Sequence, residues 1–274
     1  KRDRPRRVAA PQESSPSPRR LSPPPRARRA TGAAHKVAAS PPAAHNATAM
    51  LLPLLMALGS RIPVLHYSDR FVAVNKPAGI SVHRNKDTGR RRVVTTQLQR
   101  QFRRKVFPAH RLDHRTSGAL LFGFDGPTAG KAHDALAAGT KEYLCLLRGG
   151  DWPGEGGADV VVEKPVKGDD GAPRDARTVF RYLASQEEPR CTLCIAAPAT
   201  GRPHQIRRHA QHLSMPVIGD SKHGDSRVNR WWREERGLDR LALHCLAISL
   251  DDVDGEAVSL LAPLEGELAR ALRG

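Results

Sequence analysis

The sequence predicts an α+β fold, a mainly antiparallel mixed sheet flanked by helices. Three observations carry this. Short alternating or apolar runs of strand-forming residues dominate from about Ile62 onward. Stretches with helical spacing are few and fall irregularly among those runs. The strand–helix–strand alternation of a parallel α/β sheet is absent, and no internal repeat is evident.

The elements follow in order. Phe71 to Asn75 reads as a short strand, and Lys76-Pro77-Ala78-Gly79 as the turn that ends it. Ile80 to His83 is extended again. Val94, Leu98 and Phe102 recur at i, i+4 and i+8, the spacing of an amphipathic helix. Phe107 to Leu112 and Ala119 to Phe124 read as strands on either side of a turn at Asp113. Pro127 suits the first turn of a helix over Thr128 to Ala138, with Gly139 to stop it. Lys141 to Leu147 alternates as a strand, and Asp151 to Gly157 is a loop. Val160 to Val162, Thr178 to Leu183 and Cys191 to Ala196 are further strands. Pro203 to Leu213 is a helix, because proline is tolerated in a first turn. Leu243 to Leu250 and Val258 to Leu261 complete the set.

Charge narrows the partners. The chain of 274 residues carries 45 Lys and Arg against 28 Asp and Glu, a formal net charge of +17. A polyanion, nucleic acid or a phospholipid surface, is the natural complement. Residues 1–49 hold 11 Lys and Arg against 2 acidic residues, and nine of the 22 prolines. Such a segment buries too little apolar surface to offset the entropy of ordering. Residues 1–60 are therefore read as a basic Pro/Arg/Ala-rich extension, and 61–274 as the folded domain. The extension could be an organelle transit peptide, an RNA-binding tail, or sequence upstream of a start at Met50. Localisation follows that choice: cytoplasmic, or mitochondrial or plastid if residues 1–50 are a transit peptide. The run Met50 to Leu58 is far short of the ~20 residues a membrane-spanning helix needs, and Pro53 interrupts it. Four cysteines are too few for a disulfide scaffold.

Asp113 stands among His110, Arg111, His114 and Arg115. Opposite charges within ~4–6 Å favour the ionised carboxyl. A charged carboxylate displayed on a turn can be a nucleophile, a base or a metal ligand, or simply a salt-bridged turn residue. The segment Gly201 to Leu213 puts Ile206, Ala210 and Leu213 on one helical stripe, and His204, Arg207, Arg208 and Gln211 on a polar face suited to phosphate. Lys141 and Tyr143 share a strand face, where the Tyr ring either packs in place or offers a platform for a base. The stretch Gly219 to Trp232 reads as a polar loop bearing Lys222, His223, Arg227 and Arg230, ending in Trp231 and Trp232. Cys191 and Cys194 with His204 and His209 superficially match a zinc site. On a strand, however, residues i and i+3 face opposite sides, so no metal is expected.

Together these segments resemble the ordered motifs of the RluA-type pseudouridine synthases. The matching stretches are Asn75-Lys76-Pro77-Ala78-Gly79, His110-Arg111-Leu112-Asp113 with Thr116-Ser117-Gly118, Lys141-Glu142-Tyr143, and Gly201 to Arg207 with His209. Gly219 to Asp225 with Asn229-Arg230 is similar in particular to the branch that modifies uridine 65 in tRNA. Pro203 stands where the family usually has Thr or Lys. The resemblance implies an RNA uridine-to-pseudouridine isomerase without a cofactor or metal, with Asp113 as nucleophile. Arg207 would pair with Asp113. Tyr143 would pack on the base and is a candidate to remove the C5 proton. RNA contacts are expected from Lys76, Arg111, His114, Arg115, His204, Arg208, Lys222 and Arg230. The expected RNA is tRNA first and rRNA second, and the expected state is a monomer that does not associate with membranes. A non-catalytic RNA-binding protein of this fold is the alternative.

Overall fold

The computed structural model describes residues 61–84, 93–168, 170–253 and 256–273. The extension assigned to residues 1–60, with the run Met50 to Leu58, lies outside the described residues. The described chain opens with β1 (Val64–Tyr67) and β2 (Phe71–Lys76). Helix α1 (Val94–Phe102) is followed by β3 (Phe107–Pro108) and β4 (Ser117–Gly123). Helix α2 (Gly126–Ala138) leads into β5 (Thr140–Arg148) and β6 (Val160–Val162). A small hairpin of β7 (Val166–Lys167) and β8 (Pro173–Arg174) precedes the long pair β9 (Thr178–Glu187) and β10 (Arg190–Pro198). Helices α3 (Gln205–His212) and α4 (Ser226–Arg236) then come before β11 (Leu243–Val253), β12 (Glu256–Leu261) and α5 (Gly266–Ala271).

Ten strands form one sheet in the order β1-β2-β4-β11-β5-β10-β9-β6, with β12 beside β11 and β3 beside β4. The β4–β11 pair is parallel and the other pairs of this sheet are antiparallel. The fold is the expected α+β class. Among the described residues no helix is long and apolar enough to cross a membrane.

Two apolar cores flank the middle of the sheet. One gathers β2, β4 and α1 around Phe71, Leu98, Leu120 and Phe122. The other gathers β5, β9, β10, α3 and α4 around Leu147, Phe180, Ile206 and Trp232. Tyr143 packs against both. Helix α2 starts as its sequence requires: the Asp125 carboxylate accepts from the Thr128 N–H at 2.7 Å, and Pro127 occupies the first turn.

Three expectations need correction. The strand foreseen over Phe107 to Leu112 ends at Pro108. The Ala109 N–H still donates to the Leu121 carbonyl at 3.0 Å, but the Leu121 N–H donates to His110 Nε2 at 3.2 Å. A side chain has replaced the backbone acceptor, so the chain leaves the sheet before Asp113. Burial, with Lys141 and His133 adding, pushes the His110 pKa down to about 3, as an acceptor imidazole requires. The helix foreseen from Pro203 begins at Gln205, behind a left-handed His204 with φ 53°. The stretch read as a loop over 219–232 holds most of α4. Asp225 caps that helix by accepting from the Arg227 and Val228 N–H groups, and Gly237 ends it in the left-handed region.

Gly118 makes the parallel pairing possible. It sits opposite Cys245 with φ 115°, and a Cβ there would be driven into the Cys245 backbone. Gly118→Ala should therefore lower stability by about 3 kcal/mol, the range of severe packing and backbone faults. Urea unfolding of the purified chain checks this, and an unchanged midpoint would contradict it.

Candidate active site

The loop between β3 and β4 is held from below and from within. Leu112 is buried in the first core, and the Thr116 N–H donates to the Asp113 carbonyl at 3.0 Å, closing the turn. The Gly79 N–H donates to the His114 carbonyl at 2.8 Å. Lys76 was expected to contact RNA, but it is 0% exposed. Its ammonium donates to the carbonyls of Pro77 at 2.9 Å, Ile80 at 2.8 Å and His114 at 3.4 Å. It fastens the 76–80 turn under the Asp113 loop instead. Burial, helped by Arg240 and opposed by Asp113, pushes its pKa down to about 7.

Just past the turn, Ser117 Oγ lies 2.7 Å from His244 Nδ1, and His244 Nε2 lies 3.0 Å from the Ala262 carbonyl. Because a carbonyl only accepts, the His244 proton sits on Nε2 and Ser117 donates to Nδ1. Arg240 in turn donates to Ser117 Oγ at 2.8 Å. The start of β4 is pinned by side chains as well as by its ladder.

Asp113 itself is half-buried, and Arg207 Nη1 donates to its Oδ2 at 2.8 Å. The other edge of the Arg207 guanidinium is clamped. Its Nε and Nη2 donate to the two carboxylate oxygens of Asp220 at 2.7 and 2.8 Å. The Asp220 side chain is fully buried, and its Oδ1 also accepts from the Lys222 and His223 N–H groups, each at 2.9 Å. Burial acts against both charges, but the pairing outweighs it. Asp220 is held below the usual carboxylate range, and Arg207 above the usual guanidinium value. The bidentate fork fixes the plane of Arg207, so its remaining Nη1 is aimed rather than free to swing.

Asp220 has its own supports. Gly219 has φ 77°, and a Cβ there would strike the Arg240 carbonyl. Asn229 of α4 accepts from the Gly219 N–H at 2.7 Å and donates to the Asp220 carbonyl at 2.9 Å. Asp220 was not foreseen as a site residue. A lone Asp after Gly reads as a turn, and its partner is thirteen residues away.

Around this pair lie two adjoining clefts. The outer one, about 340 Å³, is lined by Arg111, Asp113, His114, Arg115, His204 and Arg207 with Ser81 to His83 and Gly219 to Ser221. The inner one adds Thr116, Lys141, Tyr143 and Arg202 to Asp113 and Arg207. Tyr143 faces Cys245 across β11 and Ala196 across β10. Burial, then Cys245, push its hydroxyl well above the usual tyrosine range, which keeps it a neutral phenol. Lys141 Nζ donates to the Leu136 carbonyl at 2.5 Å.

His204 Nε2 stands 3.9 Å from Asp113 Oδ2, and its Nδ1 is 3.2 Å from His223 Nε2. Burial lowers both imidazole pKa values, so the pair is neutral at pH 7. Arg115 is tied to Asp239, donating to its carbonyl at 2.8 Å. Arg208 donates to the Lys167 carbonyl at 2.6 Å. Lys222 and Arg230 are exposed, and neither lines the two clefts. His209 has both ring nitrogens engaged, at 2.9 Å to Thr178 Oγ1 and 2.9 Å to the Lys164 carbonyl, so it belongs to the framework.

A carboxylate held by a clamped arginine at a basic cleft, with Tyr143 lining the same inner cleft, is a setting suited to a polyanionic substrate. Residues 70–212 match the RNA pseudouridylate synthase family. The chain is 36% identical over 204 residues to tRNA pseudouridine synthase C of Vibrio vulnificus, covering 67% of this chain and 82% of that one. It is 36% identical over 231 residues to tRNA pseudouridine synthase C of Salmonella typhimurium, covering 77% and 88%. Its fold superposes on Human RNA Pseudouridylate Synthase Domain Containing 1 with a TM-score of 0.60 and 26% identity, over 76% of this chain and 86% of that one. The chain belongs to the RNA pseudouridylate synthase family, and it is an isomerase of RNA uridine.

Asp220→Asn replaces an acceptor oxygen with an N–H donor facing Arg207. Loss of the clamp should slow single-turnover product formation about 100-fold, the cost of ~1 Å of misplacement at a reacting group. The same substitution should change the acid limb of stability. A carboxyl whose folded pKa is depressed stabilises above its unfolded value, near 4, and loses that contribution as pH falls through the folded value. Wild type should therefore lose stability through that window more steeply than Asp220→Asn. Parallel profiles of unfolding midpoint against pH would refute this.

Proposed function

We propose that this chain converts a uridine of tRNA to pseudouridine, with Asp113 as the nucleophile. The observation that carries the reading is the Asp113–Arg207 pair at 2.8 Å at the junction of the two clefts. The tRNA assignment rests on the names of the relatives.

The chemistry is an isomerisation. The Asp113 carboxylate adds to the substrate nucleotide and the N1–C1′ bond breaks. The uracil turns within the pocket, C5 bonds to C1′, and the bond to Asp113 breaks, which returns the free carboxylate. The C5 proton leaves and N1 gains one, so the product has the atoms of the substrate. A uridine held in a stem or loop must be flipped out to reach the carboxylate. Arg111, His114, Arg115 and His204 at the cleft mouth, with Arg208, Lys222 and Arg230 farther out, are the proposed contacts to the RNA. Tyr143 is the proposed packing face for the base. Its raised pKa favours that role over proton removal. The proposed working unit is the monomer, with both clefts lined by residues of one chain.

Asp113→Asn should abolish pseudouridine formation in a tRNA transcript, measured by tritium release from C5-labelled uridine. RNA affinity should stay within about threefold, since phosphate contacts supply most of it. Residual turnover near the wild-type rate would remove Asp113 from its role. Modification of rRNA with no effect on tRNA would redirect the substrate.

A further inference from the structure

Outside the two catalytic clefts lies a larger groove of about 600 Å³. Met215, Trp231 and Trp232 form its apolar wall, and Arg148 and Arg190 stand at its rim. Trp232 is buried, whereas Trp231 is 39% exposed, the two rings meeting edge to face at 5.6 Å. The buried ring packs against the exposed one and holds it at the protein surface.

The charge around Trp231 is uneven. Arg148 pairs with Asp225 at 3.0 Å and Arg190 with Asp151 at 2.7 Å, so the rim cations are balanced. Helix α4 is not balanced: it carries Arg227, Arg230, Arg233 and Arg236 against Glu234 and Glu235. At 100° per residue, Arg227, Arg230 and Trp231 fall on one solvent-facing side, with Glu234 also on that face and the two arginines in excess. Among the described residues, the guanidinium groups of Arg227 and Arg230 make no hydrogen bond or ion pair. An exposed indole beside two guanidiniums that make no direct ion pair matches a base and its neighbouring phosphates better than it matches an apolar protein surface.

This face is also coupled to the active site. Asn229, on the opposite side of the same helix, bonds the Gly219 N–H and the Asp220 carbonyl. The residue that clamps Arg207 is thus bolted to α4 two residues from Trp231.

We propose that α4 is a second RNA-contact surface, in which Trp231 stacks on an unpaired base while Arg227 and Arg230 hold the adjacent phosphates. It would choose the RNA that is held, leaving the chemistry to Asp113. The inference rests on the reading of the chain as a tRNA-modifying enzyme.

The test measures binding and chemistry separately, on the full chain with a tRNA transcript. Trp231→Ala should weaken RNA binding about tenfold or more, the contribution of one stacked base. Its single-turnover rate at saturating RNA should stay within twofold of wild type. Trp231→Phe should recover most of the affinity. The Arg227→Gln/Arg230→Gln double variant should lower the slope of log K against log salt by roughly 1.4 to 1.8, about 0.7 to 0.9 for each phosphate that is no longer neutralised. An unchanged affinity and salt slope would overturn the proposal. So would a Trp231-dependent dimer in sedimentation with no effect on RNA binding. If wild type binds the transcript through Trp231 yet forms no pseudouridine, the contact surface stands and the proposed activity fails.

Discussion

The Arg207 guanidinium directs three of its N–H groups at two carboxylates, and the rest of the site is arranged around that choice. Two of them go to Asp220, which is fully buried and also accepts two backbone N–H groups. The third reaches Asp113. Burying an ion pair without further hydrogen bonds would cost more than it returns. Here the carboxylate of Asp220 is satisfied by its surroundings, so the pair survives burial and serves as a fixed mount. Asp113, half-buried at the edge of the clefts, receives a donor whose direction is already set.

That mount explains why residues far apart in sequence sit where they do. Gly118 lets β4 run parallel and close to β11, which carries Cys245 up against Tyr143. His110 draws the chain out of the sheet by taking the Leu121 N–H. Lys76 then holds the emerging loop by three carbonyls. From the other side, Gly219 and Asn229 fix Asp220 against Arg240 and α4. The two apolar cores meet at Tyr143, so Asp113 shares its inner cleft with a packed seam.

Much of this was legible in the chain. Alternating runs gave the strands of the sheet, Asp113 stood out through its cationic setting, and the family resemblance singled out Tyr143 and Arg207 beside it. What was not legible depended on partners remote in sequence. Lys76 looked like a surface cation because three backbone acceptors cannot be seen in a string of residues. Asp220 looked like a turn residue because its function lies in the orientation of Arg207. Helix α4 was hidden because its polar face dominates its composition. Yet Asp225 as cap, Val228 and Trp232 four residues apart, and Gly237 as stop were all present in sequence.

The most direct measurement is a double-mutant cycle on the single-turnover rate of pseudouridine formation, using Asp220→Asn, Arg207→Gln and their combination. If Asp220 acts by aiming Arg207, its substitution should cost nothing further once Arg207 is gone, and the double variant should match Arg207→Gln alone. Losses that multiply in the double variant would mean that Asp220 acts by another route, and the clamp would not be the constraint on which the site depends.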